Sequence, residues 1–125
     1  MSTILAIAAG GAIGATARYL LATQVGLLLG LGFPYGTLMV NVLGSLILGM
    51  LVEVMTLFWS VGNDLRAFLV IGILGSFTTF STLSLDTIAL FNRGDILPAA
   101  LYVLASVGLA LAAFLGGMAT VRLAF

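Results

Sequence analysis

Cysteine and histidine are both absent from this chain of 125 residues. Their absence excludes disulfides, thiolate nucleophiles, imidazole bases and the commoner zinc and haem ligands. Charge is also scarce, since only 6% of the residues are charged and the formal net charge is zero. Neither a nucleic-acid partner nor a nucleotide-binding motif is indicated. No pair of titratable groups can be placed together at depth, so we do not expect an enzyme.

Apolar residues are abundant, at 62% of the chain, well above the roughly 45–50% typical of soluble domains. The charged residues leave long uncharged stretches, over residues 1–17, 19–52, 67–85 and 96–121. A membrane-spanning helix needs about 20 apolar residues. The sequence therefore predicts an all-α membrane protein with four transmembrane helices, forming one domain over residues 1–125.

Glycine, proline and charged residues divide this apolar sequence into four predicted spans, at about 3–24, 36–58, 65–91 and 97–121. Small residues recur at helical spacing in the first and fourth spans, and such stripes let helices approach closely. The stripes comprise Gly10, Gly11, Gly14 and Ala15 in the first span and Gly108, Ala112 and Gly116 in the fourth.

The third predicted span is too long for one unbroken membrane helix, and its middle is polar. Gly75 is followed by six hydroxyl residues between Ser76 and Ser84. Hydroxyl side chains commonly bond back to carbonyls of their own helix, but six together favour a pathway or a site. We predict a mid-membrane break near residues 75–79. Such a break frees backbone carbonyl oxygens, which are ligands for cations.

Few other polar residues lie within the spans. Asn41 is the one amide at the centre of a span, and spacing alone leaves it equally suited to an interhelical hydrogen bond and to pore lining. Tyr102 and Ser106 are four residues apart and share a helix face. Asp86 and Glu53 lie near span ends, where a carboxylate is expected to reach the membrane surface.

Arginines near span ends set the orientation of a membrane protein. Arg18 and Arg93 fall on one predicted side of the membrane, and Arg66 and Arg122 fall on the other. This balance gives no preferred orientation, so both should occur. The assembly that it predicts is an antiparallel homodimer with an isologous interface. Four short helices pack without a channel, so the conduit is expected between subunits.

Three motifs on the first three spans resemble the Fluc fluoride-channel family. They read Gly10-Gly11-x-x-Gly14-Ala15-x-x-Arg18-Tyr19, Tyr35-Gly36-Thr37-Leu38-x-Val40-Asn41-x-x-Gly44-Ser45 and Gly75-x-x-Thr78-Thr79-Phe80-Ser81-Thr82. Their order and their coverage of nearly the whole chain make the resemblance specific.

The resemblance implies a passive fluoride channel of the bacterial inner membrane that relieves fluoride toxicity, built as a dual-topology homodimer with two pores. It implies a sodium ion at the dimer interface, held by the backbone carbonyls of Gly75 and Thr78. It places Arg18 at a water-filled vestibule. The residues that it implies as pore lining are Asn41, Phe80, Thr82, Tyr102 and Ser106, together with the position occupied here by Leu83.

Leu83 departs from the family pattern, which usually reads Phe-Ser-Thr-Phe where this chain has residues 80–83. The edge of a phenylalanine ring is the positive end of its quadrupole and can face an anion, whereas leucine has no comparable edge. Our hypothesis is that the fold and dimer survive this change while fluoride flux falls. Ala110 likewise interrupts the polar stripe of the fourth span.

Two other kinds of protein remain as alternatives. A small dual-topology multidrug transporter also has four spans, but that type relies on a carboxylate in its first span and this span has none. A structural membrane assembly subunit would account for the glycine stripes. It would not account for six hydroxyls around a helix break.

Overall fold

The computed structural model describes residues 1–125, and every regular element in it is helical. Four helices are long and apolar enough to cross a membrane, which confirms the predicted all-α membrane class. The third of them, Asn63–Asn92, is composite. In chain order the elements are α1 (Ser2–Leu29), α2 (Tyr35–Leu57), α3 (Asn63–Arg66), a π-helical stretch (Ala67–Leu74), α4 (Gly75–Phe77), α5 (Phe80–Asn92) and α6 (Ile96–Ala124).

The surface of the single chain is strongly apolar. Only 22 of the 125 residues are buried, although 62% are apolar. Large apolar side chains are exposed along all four long helices, including Leu28, Ile71, Leu85 and Leu115. An exposed apolar surface of this extent needs lipid or another protein to cover it.

Helix α1 is longer than the sequence predicted. It continues five residues past Gln24 to Leu29, because no proline or charged residue interrupts it, and it ends where Gly30 adopts a positive φ of 94°. Arg18 therefore lies about 16 Å from the end of the helix at 1.5 Å per residue. The arginine sits within the helix bundle, not at its rim.

The small-residue stripe of α1 makes a close helix contact, as predicted, and its partner is the first half of the third span. A Cβ added at Gly14 would lie 2.1 Å from the carbonyl oxygen of Ile73, and one at Gly10 would lie 2.5 Å from that of Phe68. Both acceptors belong to the π-helical stretch, where Gly72 in turn approaches the Cα of Gly10. This backbone contact has no room for a methyl group on α1.

The stripe predicted on α6 makes no close contact within the single chain. Gly108 and Gly116 face open space, and the close contact with α2 is made by Gly117, whose added Cβ would lie 2.3 Å from the carbonyl oxygen of Leu46. The buried residues Tyr102 and Ser106 set the rotation of α6 against its neighbours. That rotation turns Gly108 and Gly116 outward.

Polar contacts hold neighbouring elements together at each end of the bundle. At one end Arg93 donates a hydrogen bond of 2.7 Å to the carbonyl oxygen of Gly32 in the α1–α2 turn. At the opposite end Arg122 pairs with Glu53 at 2.7 Å. Glu53 is only 3% exposed, so it is held inside the bundle by its partner, not extended to the surface as the sequence suggested. Asp64 accepts hydrogen bonds from Ser2 and Thr3 at this same end.

Candidate functional site

Two extended residues interrupt the third span. Thr78 has φ −82° and ψ 155°, and Thr79 has φ −151° and ψ 125°, so α4 ends at Phe77 and α5 begins at Phe80. The sequence predicted an interruption over residues 75–79. Gly75 nevertheless stays helical, with φ −64° and ψ −32°, so glycine does not itself form the interruption.

The interruption redirects two backbone amides. The N–H of Thr79 donates to Asn41 Oδ1 at 2.7 Å, and the N–H of Thr82 donates to Thr79 Oγ1 at 3.2 Å, which caps α5. In a continuous α-helix these amides would bond the carbonyl oxygens four residues earlier, those of Gly75 and Thr78. These two carbonyls are therefore released from their helical partners.

Asn41 holds the interrupted segment from α2. Its Nδ2 donates to the carbonyl oxygen of Thr79 at 3.0 Å, so its side chain bonds both backbone polar atoms of that residue. Gly44, one turn further along α2, permits this approach, because a Cβ there would lie 2.4 Å from Thr78 Cγ2. The interhelical role considered for Asn41 is thus present. One amide hydrogen remains for another acceptor.

A cavity of about 260 Å³ adjoins the interruption, and we call it the Ser106 cavity. Ser106 Oγ is buried without a hydrogen-bond partner, and Phe80 is 76% exposed in the single chain. Four of the six residues predicted to line a pore meet here. The lining residues are Asn41, Ser45, Thr78, Thr79, Phe80, Leu83, Ser106, Val107, Ala110 and Leu111.

A second cavity of about 480 Å³ lies on the α1 side of the interruption, and we call it the Arg18 cavity. Arg18 Nε donates to the carbonyl oxygen of Ser76 at 3.2 Å. Thr79 lines both cavities, so both border the interrupted segment. The lining residues are Arg18, Tyr19, Ala22, Thr23, Gly26, Leu27, Leu31, Thr37, Thr79 and Thr82.

Tyr102 lines neither of these two cavities. It is fully buried and packs with Leu83, Leu90 and Ala99. Its hydroxyl donates to Asp86 Oδ2 at 3.0 Å. Asp86 also lines a third cavity of about 270 Å³, beneath the α1–α2 turn.

Sequence reasoning missed some polar residues of this region. It treated Asp86 as a carboxylate at the membrane surface, whereas the structure joins Asp86 to Tyr102. It also passed over Thr37, which lines both the Arg18 cavity and the cavity beneath the α1–α2 turn. The signal available for Thr37 was a hydroxyl four residues before Asn41, on the same face of the second span. The Tyr102–Asp86 hydrogen bond joins α6 to α5, and the spacing of residues within either helix does not predict it.

No three Asp or Glu side chains converge in the structure. A cation at the interruption would therefore be held by carbonyl and hydroxyl oxygens. The carbonyl oxygens of Gly75 and Thr78 that are released at the interruption are oxygens of this kind.

Comparison with known proteins gives a consistent result. A family model described as "CrcB-like protein, Camphor Resistance (CrcB)" matches residues 5–118. A protein of Cereibacter sphaeroides named "Fluoride-specific ion channel FluC" is 51% identical over 124 residues, covering 98% of this chain and 96% of that protein. One of Nitrobacter winogradskyi with the same name is 49% identical over 119 residues, covering 95% and 94%. "Fluoride-specific ion channel FluC 1" of Nitrobacter hamburgensis is 45% identical with the same coverage.

Proposed function

The chain belongs to the CrcB-like family, and on that premise we propose that it is a fluoride channel whose ion path runs through the Ser106 cavity. Its relatives bear the name of fluoride-specific ion channels. The observation that carries the path is the buried, unpartnered hydroxyl of Ser106, which lines a cavity together with Asn41. A hydroxyl hydrogen and the spare amide hydrogen of Asn41 can donate to a small anion.

The walls of the Ser106 cavity suit fluoride because they replace part of its lost hydration. Phe80 presents an aromatic ring whose edge carries the positive end of the quadrupole. Leu83, on the same wall, presents only aliphatic carbon. The Arg18 cavity continues the path with a guanidinium group and the hydroxyls of Thr37, Thr79 and Thr82. A positive charge in that cavity raises the local concentration of anions.

The active form in this proposal is an antiparallel homodimer. Arg18 and Arg93 lie in one half of the bundle and Arg66 and Arg122 in the other, a balance that favours neither orientation. Phe80 is exposed in the single chain, which leaves the wall of the Ser106 cavity open on that side. A second copy related by a two-fold axis in the membrane plane would enclose each Ser106 cavity. The localisation that follows is the bacterial inner membrane, with the chain inserted both ways.

The interruption lies in mid-membrane in this arrangement, since Thr78 and Thr79 fall at the centre of Asn63–Asn92. Released carbonyls fit a sodium ion, because hard cations prefer oxygen ligands. The residues that would hold it are Gly75 and Thr78, from both subunits. When bound, such an ion supplies a fixed positive charge that neutralises carbonyl dipoles at the dimer interface.

Transport is passive, as in a channel, and the membrane potential drives fluoride out of the cell. Hydrogen fluoride enters through the bilayer and dissociates in the more neutral interior, so an exit path for the anion relieves toxicity. A multidrug exporter is not favoured, because α1 contains no carboxylate and the named relatives are fluoride channels.

Anion efflux from liposomes reconstituted with the purified protein tests the proposed function. Liposomes loaded with potassium fluoride should empty when a potassium ionophore is added, while those loaded with potassium chloride should retain their anion. Protein-free liposomes provide the baseline. Equal release of both anions, or release of neither, would refute a fluoride-selective channel.

A further inference from the structure

We infer that Arg18 is a positioning residue that fixes the interrupted segment of the third span through its Nε–H, in addition to carrying charge. Its link to ion flux rests on the proposed function, but its link to the backbone stands on the geometry alone. Arg18 is more than two turns from the end of α1, so it does not reach out to the headgroups. Its Nε donates instead to the carbonyl oxygen of Ser76.

Ser76 occupies a position where the backbone needs an outside donor. Its carbonyl belongs to the last turn of α4, and the two residues after Phe77 are extended. The carbonyl oxygens in the last turn of a helix have no donor within that helix. A guanidinium is also favourable there because the carboxyl end of a helix carries partial negative charge.

Arg18 and Asn41 hold the interruption from two different helices. Asn41 in α2 bonds the N–H and carbonyl oxygen of Thr79, while Arg18 in α1 bonds the carbonyl oxygen of Ser76. Between these two attachments lie Phe77 and Thr78, and Thr78 carries a carbonyl assigned to the proposed sodium site. The position of that carbonyl therefore depends on both side chains.

Two substitutions separate the donor of Arg18 from its charge. In Arg18→Gln the amide Nε2 is bonded to Cδ as Nε is in arginine, so a donor remains at that position while the charge is lost. In Arg18→Lys the methylene Cε occupies that position, so the charge remains while the donor at that position is lost and the ammonium lies one bond further out. Arg66→Lys is the matched control, because Arg66 lies in α3, outside the interruption.

Hydrogen–deuterium exchange on the purified full-length protein measures the effect directly over residues 75–82. We expect exchange in Arg18→Lys to be about tenfold faster than in the wild type, the effect of losing one charge-assisted hydrogen bond. Arg66→Lys should stay within about twofold of the wild type, and Arg18→Gln, which keeps a neutral donor, should fall between the wild type and Arg18→Lys. Fluoride efflux should fall in Arg18→Lys together with this loss of protection.

Wild-type exchange in Arg18→Lys would overturn the inference, as would equally fast exchange in Arg18→Lys and Arg18→Gln. If Arg18→Lys fails to fold while Arg18→Gln folds, the donor is required and the inference holds. If both fail to fold, the donor is not sufficient and the inference fails. A wild-type protein that carries no fluoride would refute the proposed function without changing the exchange pattern, so the two failures are distinguishable.

Discussion

The side-chain amide of Asn41 in α2 bonds both backbone polar atoms of Thr79, accepting from its N–H at 2.7 Å and donating to its carbonyl oxygen at 3.0 Å. An extended residue within a membrane span otherwise has no partner for either atom. This single side chain therefore satisfies both backbone polar atoms of Thr79, and it lines the Ser106 cavity at the same time.

Replacing Asn41 by alanine should remove both bonds. Each lost hydrogen bond to a buried group costs about 1–3 kcal/mol, so we expect a clearly lower unfolding temperature and a loss of fluoride efflux. Thermal unfolding in detergent and efflux from liposomes measure the two effects. Asn63→Ala is the control, because Asn63 is exposed at the start of α3. Similar unfolding temperatures for the two variants would contradict the structural role of Asn41.

Replacing Leu83 by phenylalanine should increase fluoride flux, because it returns an aromatic edge to the wall of the Ser106 cavity. Leu83 is 7% exposed, and the adjoining cavity of about 260 Å³ gives a larger side chain room. Initial efflux rates from fluoride-loaded liposomes measure the change. No gain in flux would count against our interpretation of this position.

Leu90 provides the control for that substitution. It is 3% exposed and packs in the same cluster as Leu83, but it does not line the Ser106 cavity. Leu90→Phe should overpack the cluster at a cost of about 1–3 kcal/mol, with no gain in flux. If Leu83→Phe and Leu90→Phe changed fluoride efflux equally, the change would come from packing in the cluster and not from the wall of the Ser106 cavity.

Replacing Gly14 by alanine should destabilise the bundle, because the added methyl group would meet the carbonyl oxygen of Ile73 at 2.1 Å. Backbone cannot move aside as a flexible side chain can, so we expect a loss of about 1–3 kcal/mol. Gly11→Ala is the matched control, since its methyl group would meet only the hydroxyl of Ser76, at 3.3 Å. Thermal unfolding of both variants should show a drop for Gly14→Ala alone.

Removing one arginine should fix the orientation of the chain. Arg66→Gln leaves one arginine, Arg122, on one side and two, Arg18 and Arg93, on the other. The end of the bundle that carries Arg93 should then face the cytoplasm. In Arg93→Gln the opposite orientation should dominate. Reporter fusions at the carboxyl terminus measure orientation.

We expect each variant alone to lose fluoride resistance in cells and the two together to restore it, since only the pair supplies an antiparallel dimer. Full resistance from either variant alone would argue against that assembly.

Much of the fold was readable from the sequence because bilayer thickness limits helix length. The second span, predicted at 36–58, is observed as Tyr35–Leu57, and the fourth, predicted at 97–121, as Ile96–Ala124. The interruption was placed within a few residues, since clustered hydroxyls signal it. The π-helical stretch Ala67–Leu74 was not foreseen, because its residues have the same apolar composition as an ordinary span.

The details of the site were less predictable, because they depend on contacts between distant elements. Nothing local to Arg18 indicates a bond to Ser76, and nothing local to Glu53 indicates Arg122, 69 residues away. Helix rotation is likewise set by the whole bundle. Within the single chain that rotation brings Gly117 against α2 and leaves Gly116 without a close neighbour. The roles of the pore-lining residues and of sodium stay predictions until ion binding and flux are measured.

The interruption at Thr78 and Thr79 also sets two helix dipoles end to end. The carboxyl end of α4 carries partial negative charge and the amino end of α5 carries partial positive charge, and only two extended residues separate them. One short stretch of backbone thus has a negative field at the end of α4, which suits a cation, and a positive field at the start of α5, which suits an anion. A continuous helix would cancel both fields internally, so it could provide neither.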